Sequence, residues 1–258
     1  MKISALILAR NEEEVIEECL KQLDFVDEII VLDQLSTDNT ATIAKKYATK
    51  VMRSSKKDFN LNRTILRDEA KGEWLLYVDC DEKITTALKE EILSSVKKSN
   101  CEAYYFPREN FVLGKRLKHG GWWPDYVPKL FKKSQLITWH GRVHESPEVV
   151  GKFGYLKNPL IHETGRTVSK MFQKSIKWAK IEAELSYKTG HSRITVIKTI
   201  KAAVQQFFSI YFVKLGILDG QIGLIEAVYQ SLHRIMVLTY LWEIQNNTQE
   251  KLINFNNE

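Results

Sequence analysis

Cysteine is scarce in this chain: Cys19, Cys80 and Cys101 are odd in number, widely spaced and form no C-x-x-C pair. That pattern argues against a disulfide framework and against a zinc site, and it suits a reducing compartment. Long hydrophobic runs are missing as well. In the helical half, the charge-free stretch Ala202 to Val213 contains Gln205 and Gln206 and falls well short of the roughly 20 apolar residues that span a bilayer. Met1-Lys2 precedes only seven mostly apolar residues before Arg10-Asn11-Glu12, with no small-residue cleavage site, so the segment reads as a first core strand rather than a leader. The junction after that strand has neither G-x-G-x-x-G nor G-x-x-x-x-G-K, which disfavours a dinucleotide site and a P-loop. Internal repeats, low-complexity tracts and obvious linkers are absent too.

What is present is an ordinary globular composition, 44% hydrophobic and 27% charged over 258 residues, enough to bury an ample core. The net charge of +6 is unevenly placed, with ten Lys or Arg against two Glu between Arg166 and Lys214. Such a basic half suits anionic lipid, nucleic acid or an anionic acceptor, a solvated helix surface being the plain alternative.

The stretch Glu73-Trp-Leu-Leu-Tyr-Val-Asp-Cys-Asp-Glu82 organises the rest. An apolar run of this length suits a strand buried on both faces, and it ends abruptly in three acids. Asp79 and Asp81 leave one turn at the carboxyl end of that strand, where the ligand crevice of an open α/β sheet lies, and the D-x-D spacing can grip a divalent cation together with phosphate oxygens. Before it, residues 3–9, 28–33 and 50–53 read as strands and alternate with helices, which implies a parallel, doubly wound sheet with Asp33 and Asp79 on one edge. Asn11 is expected to cap the first helix with Glu12 to Glu14 in its first turn, Ser36 or Asp38 to cap the second, and Gly72 to end the third as a left-handed cap. After a helix at about Thr86 to Lys98, short extended segments surround the loop His119-Gly-Gly-Trp-Trp-Pro-Asp125; Trp122 and Trp123 are a natural platform for a sugar ring or a loop plug. From Thr167 the chain reads as helices, one with an apolar face at Met171, Ile176, Ala179, Ala183 and Leu185, another over 196–215, and a third over 222–242.

Leu8-Ala-Arg-Asn-Glu-Glu13, Asp33-x-x-Ser36-x-Asp38, Gly72-Glu-Trp74, Asp79-Cys-Asp-Glu82, Gly121-Trp-x-Pro-Asp125, Lys129-Leu-Phe131, Val143-His-Glu145 and Gly216-Ile-Leu-Asp-Gly220 follow one another in the order of a known family. Together they resemble the family 2 glycosyltransferases of the GT-A fold, and within them the lipopolysaccharide-core β-1,4-glucosyltransferase branch. The resemblance implies an α/β fold with a mostly parallel, Rossmann-like central sheet and flanking helices over residues 1–165, plus a C-terminal helical extension over 166–258 for acceptor or membrane association. It also implies inverting transfer of a hexose, glucose from UDP-glucose, to a lipid-linked or cell-envelope saccharide with Mn²⁺ or Mg²⁺.

Position by position, the resemblance makes Asp33 the uridine contact, with Arg10, Asn11 and Arg63 also on the donor side. Asp81 is implied as a direct metal ligand, and Asp79 as a contact to ribose or to a metal-bound water. A downstream histidine joins the metal shell in some GT-A enzymes, which makes His162 a third ligand candidate. Thr64 stands where relatives often have Asn, Cys80 where they often have Ala, and the usual Glu-Asp base pair is absent as such. Inversion needs a carboxylate to take the acceptor proton; Glu145 is favoured as that base, and Asp125 as the residue that orients the acceptor. The expected partners are a UDP-hexose, a saccharide acceptor and a membrane surface, without nucleic acid, at the inner face of the cytoplasmic membrane; oligomeric state stays open. Two rivals are a sugar-1-phosphate nucleotidyltransferase, whose glycine-rich triphosphate loop is missing, and a non-catalytic lipid- or nucleic-acid-binding module.

Overall fold

The computed structural model describes residues 2–56, 58–141 and 146–255. They form two compact units, Met1–Glu109 with Pro124–Glu163, and Asn110–Trp123 with Thr164–Glu258. The loop and strand segment 110–123, assigned by sequence to the first domain, thus clusters with the helical residues.

The first unit begins with β1 (Ile3–Ala9), α1 (Ile16–Lys21), β2 (Glu28–Asp33), α2 (Thr40–Ala44), β3 (Lys50–Arg53), α3 (Phe59–Glu69) and β4 (Trp74–Asp79). It continues through β5 (Glu82–Ile84), α4 (Thr86–Lys98) and β6 (Ala103–Val112); β7 (Lys115–Arg116) belongs to the second unit. It ends with β8 (Asp125–Lys132), β9 (Leu136–His140), β10 (Ser146–Val149), β11 (Phe153–Tyr155) and β12 (Leu160–Glu163). The main sheet runs β3-β2-β1-β4-β8-β6-β12-β5. Its first four strands are parallel; β8 then enters antiparallel to both β4 and β6, and β12 antiparallel to β5.

The alternating side chains of β4 explain why this strand lies so deep. Trp74, Leu76 and Val78 pack into one core with Ala5 and Ile7, while Leu75 and Tyr77 join another with Leu6, Ile30 and Leu32. Both faces of the sheet are covered, as an uninterrupted apolar run requires. The register sets Ala9 beside Asp33 and Leu8 beside Asp79, so the two aspartates emerge on one edge as expected.

Three local expectations need correction. Asn11 is not a helix cap: it takes a left-handed conformation (φ 55°), and its side-chain oxygen accepts the Thr37 N–H at 2.9 Å. Glu12 and Glu13 donate their N–H groups to Thr40 Oγ1 and Asp38 Oδ2, so the acids form a turn tied to the next loop, and the helix starts only at Ile16. Gly72 is not left-handed either; α3 ends at an extended Ala70. Glycine is needed at 72 because a Cβ there would lie 2.6 Å from Ser4 Oγ, to which the Gly72 N–H donates.

The second unit contains α5 (Val168–Lys188), α6 (Val196–Phe208), a π-helical turn (Ser209–Val213), a 3₁₀ turn (Gly216–Asp219) and α7 (Gly220–Phe255). The face of α5 that is buried is Met171, Ser175, Ala179 and Ala183, whereas Ile176, expected in the stripe, is exposed. Strict four-residue spacing of small side chains gives α7 a groove to pack along, and Tyr229 fills it by hydrogen-bonding Ser175 Oγ and the Met171 carbonyl. Gly216 is required by close approach: a Cβ would sit 2.7 Å from the Ile210 carbonyl oxygen. Asp219 accepts the N–H groups of Lys118 and His119 through Oδ2 and meets His119 Nδ1 through Oδ1 at 2.9 Å, pinning the glycine-tryptophan loop. Trp122 is half-buried in the small core of Val112, Leu117 and Met171, and Trp123 lies under the Arg116 guanidinium.

Candidate active site

The carboxyl edge of the parallel strands gathers the charged residues. Asp33 ends β2 with no solvent exposure; both its oxygens accept the Ser36 N–H, and Arg53 Nε lies 3.6 Å from Oδ2. The Asn11 N–H donates to Ser36 Oγ, so the loop after β1 and the loop after β2 brace each other around Asp33. Arg10 is exposed on the first of these loops.

At the end of β4, Asp79 is held from two directions. Lys129, from the middle of β8, donates to Asp79 Oδ2 at 2.6 Å and to Glu82 Oε2 at 2.8 Å, and Arg63 Nη2 lies 3.6 Å from Asp79 Oδ1. Arg63 reaches that point from α3 with its guanidinium over the rings of Tyr77 and Trp139, at 5.3 and 4.9 Å from their centroids. The Tyr77 hydroxyl, which accepts from Trp139 Nε1, donates to the Arg63 carbonyl and fixes that turn of α3. Thr64 takes no part, since its hydroxyl donates to the Asn60 carbonyl one turn back in the same helix.

Glu82 is the buried acid behind the motif. Its Oε2 also accepts the Asp79 N–H, which closes the D-x-D turn, while Oε1 lies 3.9 Å from Arg108 Nη1. Burial opposes ionisation of Asp79, but Lys129 and Arg63 outweigh it and hold this carboxyl well below the usual carboxylate range. Burial pushes the Glu82 carboxyl above its ordinary value despite Lys129, and the charge on Asp79 adds to the rise.

Asp81 and His162 meet on the other side of that turn. His162 sits on β12 opposite Glu82 of β5, nearly buried, with Nε2 3.4 Å from Asp81 Oδ2, and the Glu163 N–H donates to the Asp81 carbonyl. Among the described residues no group of three or more His, Cys, Asp or Glu side chains is arranged to hold a metal by itself. Asp125, at the start of β8, is gripped by Arg108, whose Nε and Nη2 both lie 2.8 Å from Oδ2. Glu145 lies outside the described residues.

The first unit therefore brings together Asp79, Asp81, Arg63 and His162. Sequence reasoning gave no role to Lys129, Glu82 or Arg108. The signal for Lys129 was a lysine followed by Leu130-Phe131 in a strand whose neighbours are apolar, a place where a cation needs a buried partner.

Residues 4–158 match the family model described as Glycosyl transferase family 2. The chain belongs to that family. An uncharacterized glycosyltransferase of Rickettsia conorii is 22% identical over 94% of this chain and 90% of its own length. The lipopolysaccharide core biosynthesis glycosyltransferase LpsC of Rhizobium meliloti is also 22% identical, over 94% of this chain and 93% of the relative. The crystal structure of S. aureus TarS 1-349 superposes with a TM-score of 0.47 at 14% identity, covering 97% of this chain and 92% of that one. In this family 2 glycosyltransferase the matched region includes β4, Asp79, Asp81 and Lys129.

Proposed function

We propose that this glycosyltransferase moves a hexose, with inversion, from a UDP-hexose such as UDP-glucose to a lipid-linked or cell-envelope saccharide, with a divalent cation, at the inner face of the cytoplasmic membrane. The observation that carries the reading is the division of labour at the end of β4: Lys129 and Arg63 engage Asp79, whereas Asp81 is turned toward His162. A carboxylate and an imidazole are a donor set that Mn²⁺ or Mg²⁺ accepts when phosphate oxygens and water complete the shell. The residues thus fit a cation shared with the donor, held by Asp81 and His162 and not directly by Asp79. Bound there, the cation would offset the charge of the departing diphosphate.

Around that cation, Asp33 and the braced loops that carry Asn11 and Arg10 take the uridine end of the donor, and Arg63 supplies a fixed positive charge near the diphosphate. Asp125, oriented by Arg108, positions the acceptor, and Glu145 takes the proton of the attacking hydroxyl. The lipopolysaccharide-core name of one relative supports an envelope saccharide as acceptor.

Asp81→Asn is expected to abolish manganese-dependent binding of UDP and UDP-hexose while leaving the thermal unfolding curve unchanged, because it removes charge from a partly exposed ligand and no volume from the core. Calorimetric titration with and without manganese measures the binding, and a thermal melt the unfolding. Metal-dependent binding retained by the variant would sink the assignment.

A further inference from the structure

In α6 no residue is buried, yet the side turned to solvent is apolar. Val196, Ile197, Ile200, Val204 and Phe208 recur at helical spacing and are all exposed, Val196 and Ile197 by 75% and 79%. The following turns extend the patch. Phe212, Val213 and Leu218 are exposed, and Leu215 takes a left-handed conformation (φ 60°) that is unusual for a leucine while its side chain stays half in solvent. Phe207, Phe208, Tyr211 and Phe212 stack in pairs on this surface, Phe208 with Phe212 at 5.2 Å and Phe207 with Tyr211 at 5.4 Å between centroids. A contiguous apolar and aromatic patch of this kind marks an interaction surface.

Charge identifies the occupant. From Leu185 to Leu218 the chain carries Lys188, Arg193, Lys198, Lys201 and Lys214 and no Asp or Glu. Lys201 is exposed on the helix next to the apolar stripe, and Lys198 is exposed one turn earlier. A two-fold contact with a second copy over this face would set the same cations against one another. An anionic lipid surface instead satisfies both features, because rings and aliphatic side chains enter the acyl boundary while lysines stay among the head groups. No single described helix is long and apolar enough to cross a membrane; α6 with its π turn and the helical segment after it reach that length and hydropathy only together, across a bend of 70°. That geometry suits a helix lying in the plane of the interface.

We infer that α6 and the π and 3₁₀ turns after it form an anionic-lipid-binding surface, inserted to the depth of its aromatic side chains. The inference rests on the proposed lipid-linked acceptor for its purpose, but its test does not depend on sugar transfer. The whole protein is floated with vesicles of phosphatidylcholine plus phosphatidylglycerol and with vesicles of phosphatidylcholine alone, at low and high salt. It is expected to float with the anionic vesicles only, and less at high salt. Ile200→Asp combined with Phe208→Asp should weaken binding at least about tenfold, and Lys201→Gln about fivefold. Lys201→Gln alters an exposed polar end and keeps the test valid if the aspartate variant misfolds. A protein that ignores anionic vesicles, that floats equally with neutral ones regardless of salt, or that is a dimer dissociated by Ile200→Asp, overturns the inference. Donor binding measured without vesicles is the separate control: its absence would remove the proposed function and leave this surface standing.

Discussion

Replacing Lys129 with methionine is expected to destabilise the protein by about 3–5 kcal/mol, the usual cost of removing one partner from a buried ion pair. The side chain of Glu82 is fully buried and that of Lys129 nearly so, with 2.8 Å between Nζ and Oε2. Methionine fills similar volume, so the loss is one of charge. Without the ammonium, two carboxylates of one tight turn face each other, with Arg63 3.6 Å from Asp79 and Arg108 3.9 Å from Glu82. An acid whose folded-state pKa is raised is penalised when ionised, and the penalty shrinks as pH falls from that raised value toward the unfolded one, below which it is gone. Burial already raises Glu82, and losing Lys129 raises it further. The deficit of Lys129→Met in urea unfolding should therefore shrink as pH falls toward the ordinary carboxylate range. A deficit below about 1 kcal/mol, in the range of an exposed pair, or one that grows as pH falls, would refute the bridging role.

Glu145→Gln should lower turnover by about 10²–10⁴-fold with donor affinity little changed, the range for losing a positioned proton acceptor. The isosteric amide keeps shape and hydrogen-bonding capacity but cannot take the proton. Asp125→Asn should act differently. Its Oδ2 is already gripped by Arg108, so the variant is expected to raise the KM for acceptor more than it lowers kcat. Steady-state kinetics with acceptor varied at saturating donor separates the two. An inactive Asp125 variant that binds both substrates, beside an active Glu145 variant, would exchange the roles.

The parallel half of the sheet was legible in the sequence because a strand buried on both faces must be apolar throughout. The runs of β1, β2 and β4 leave no other reading, and their ends place Asp33 and Asp79 on one edge. Lys129 was not legible in the same way. An isolated lysine reads as solvent-exposed until β8 is known to enter antiparallel beside β4, which carries its side chain under the D-x-D turn. Arg108 depends on the pairing of β6 with β8, where it stands opposite Asp125. Gly72 and Asn11 show a different limit. Glycine after a helix and asparagine before one are capping signals, but at these positions a neighbouring strand and a neighbouring loop decide the residue. In the second unit the periodicity found the helices, while the side α6 turns to solvent depended on α7, which the periodicity of α6 alone does not contain.

The most direct test is a panel of nucleotide sugars incubated with the protein and manganese, without acceptor, scored for binding and slow hydrolysis. A UDP-hexose is expected to bind and to be hydrolysed only with manganese present, and Asp81→Asn to lose both. Failure of every nucleotide sugar to bind or turn over would contradict the proposed function.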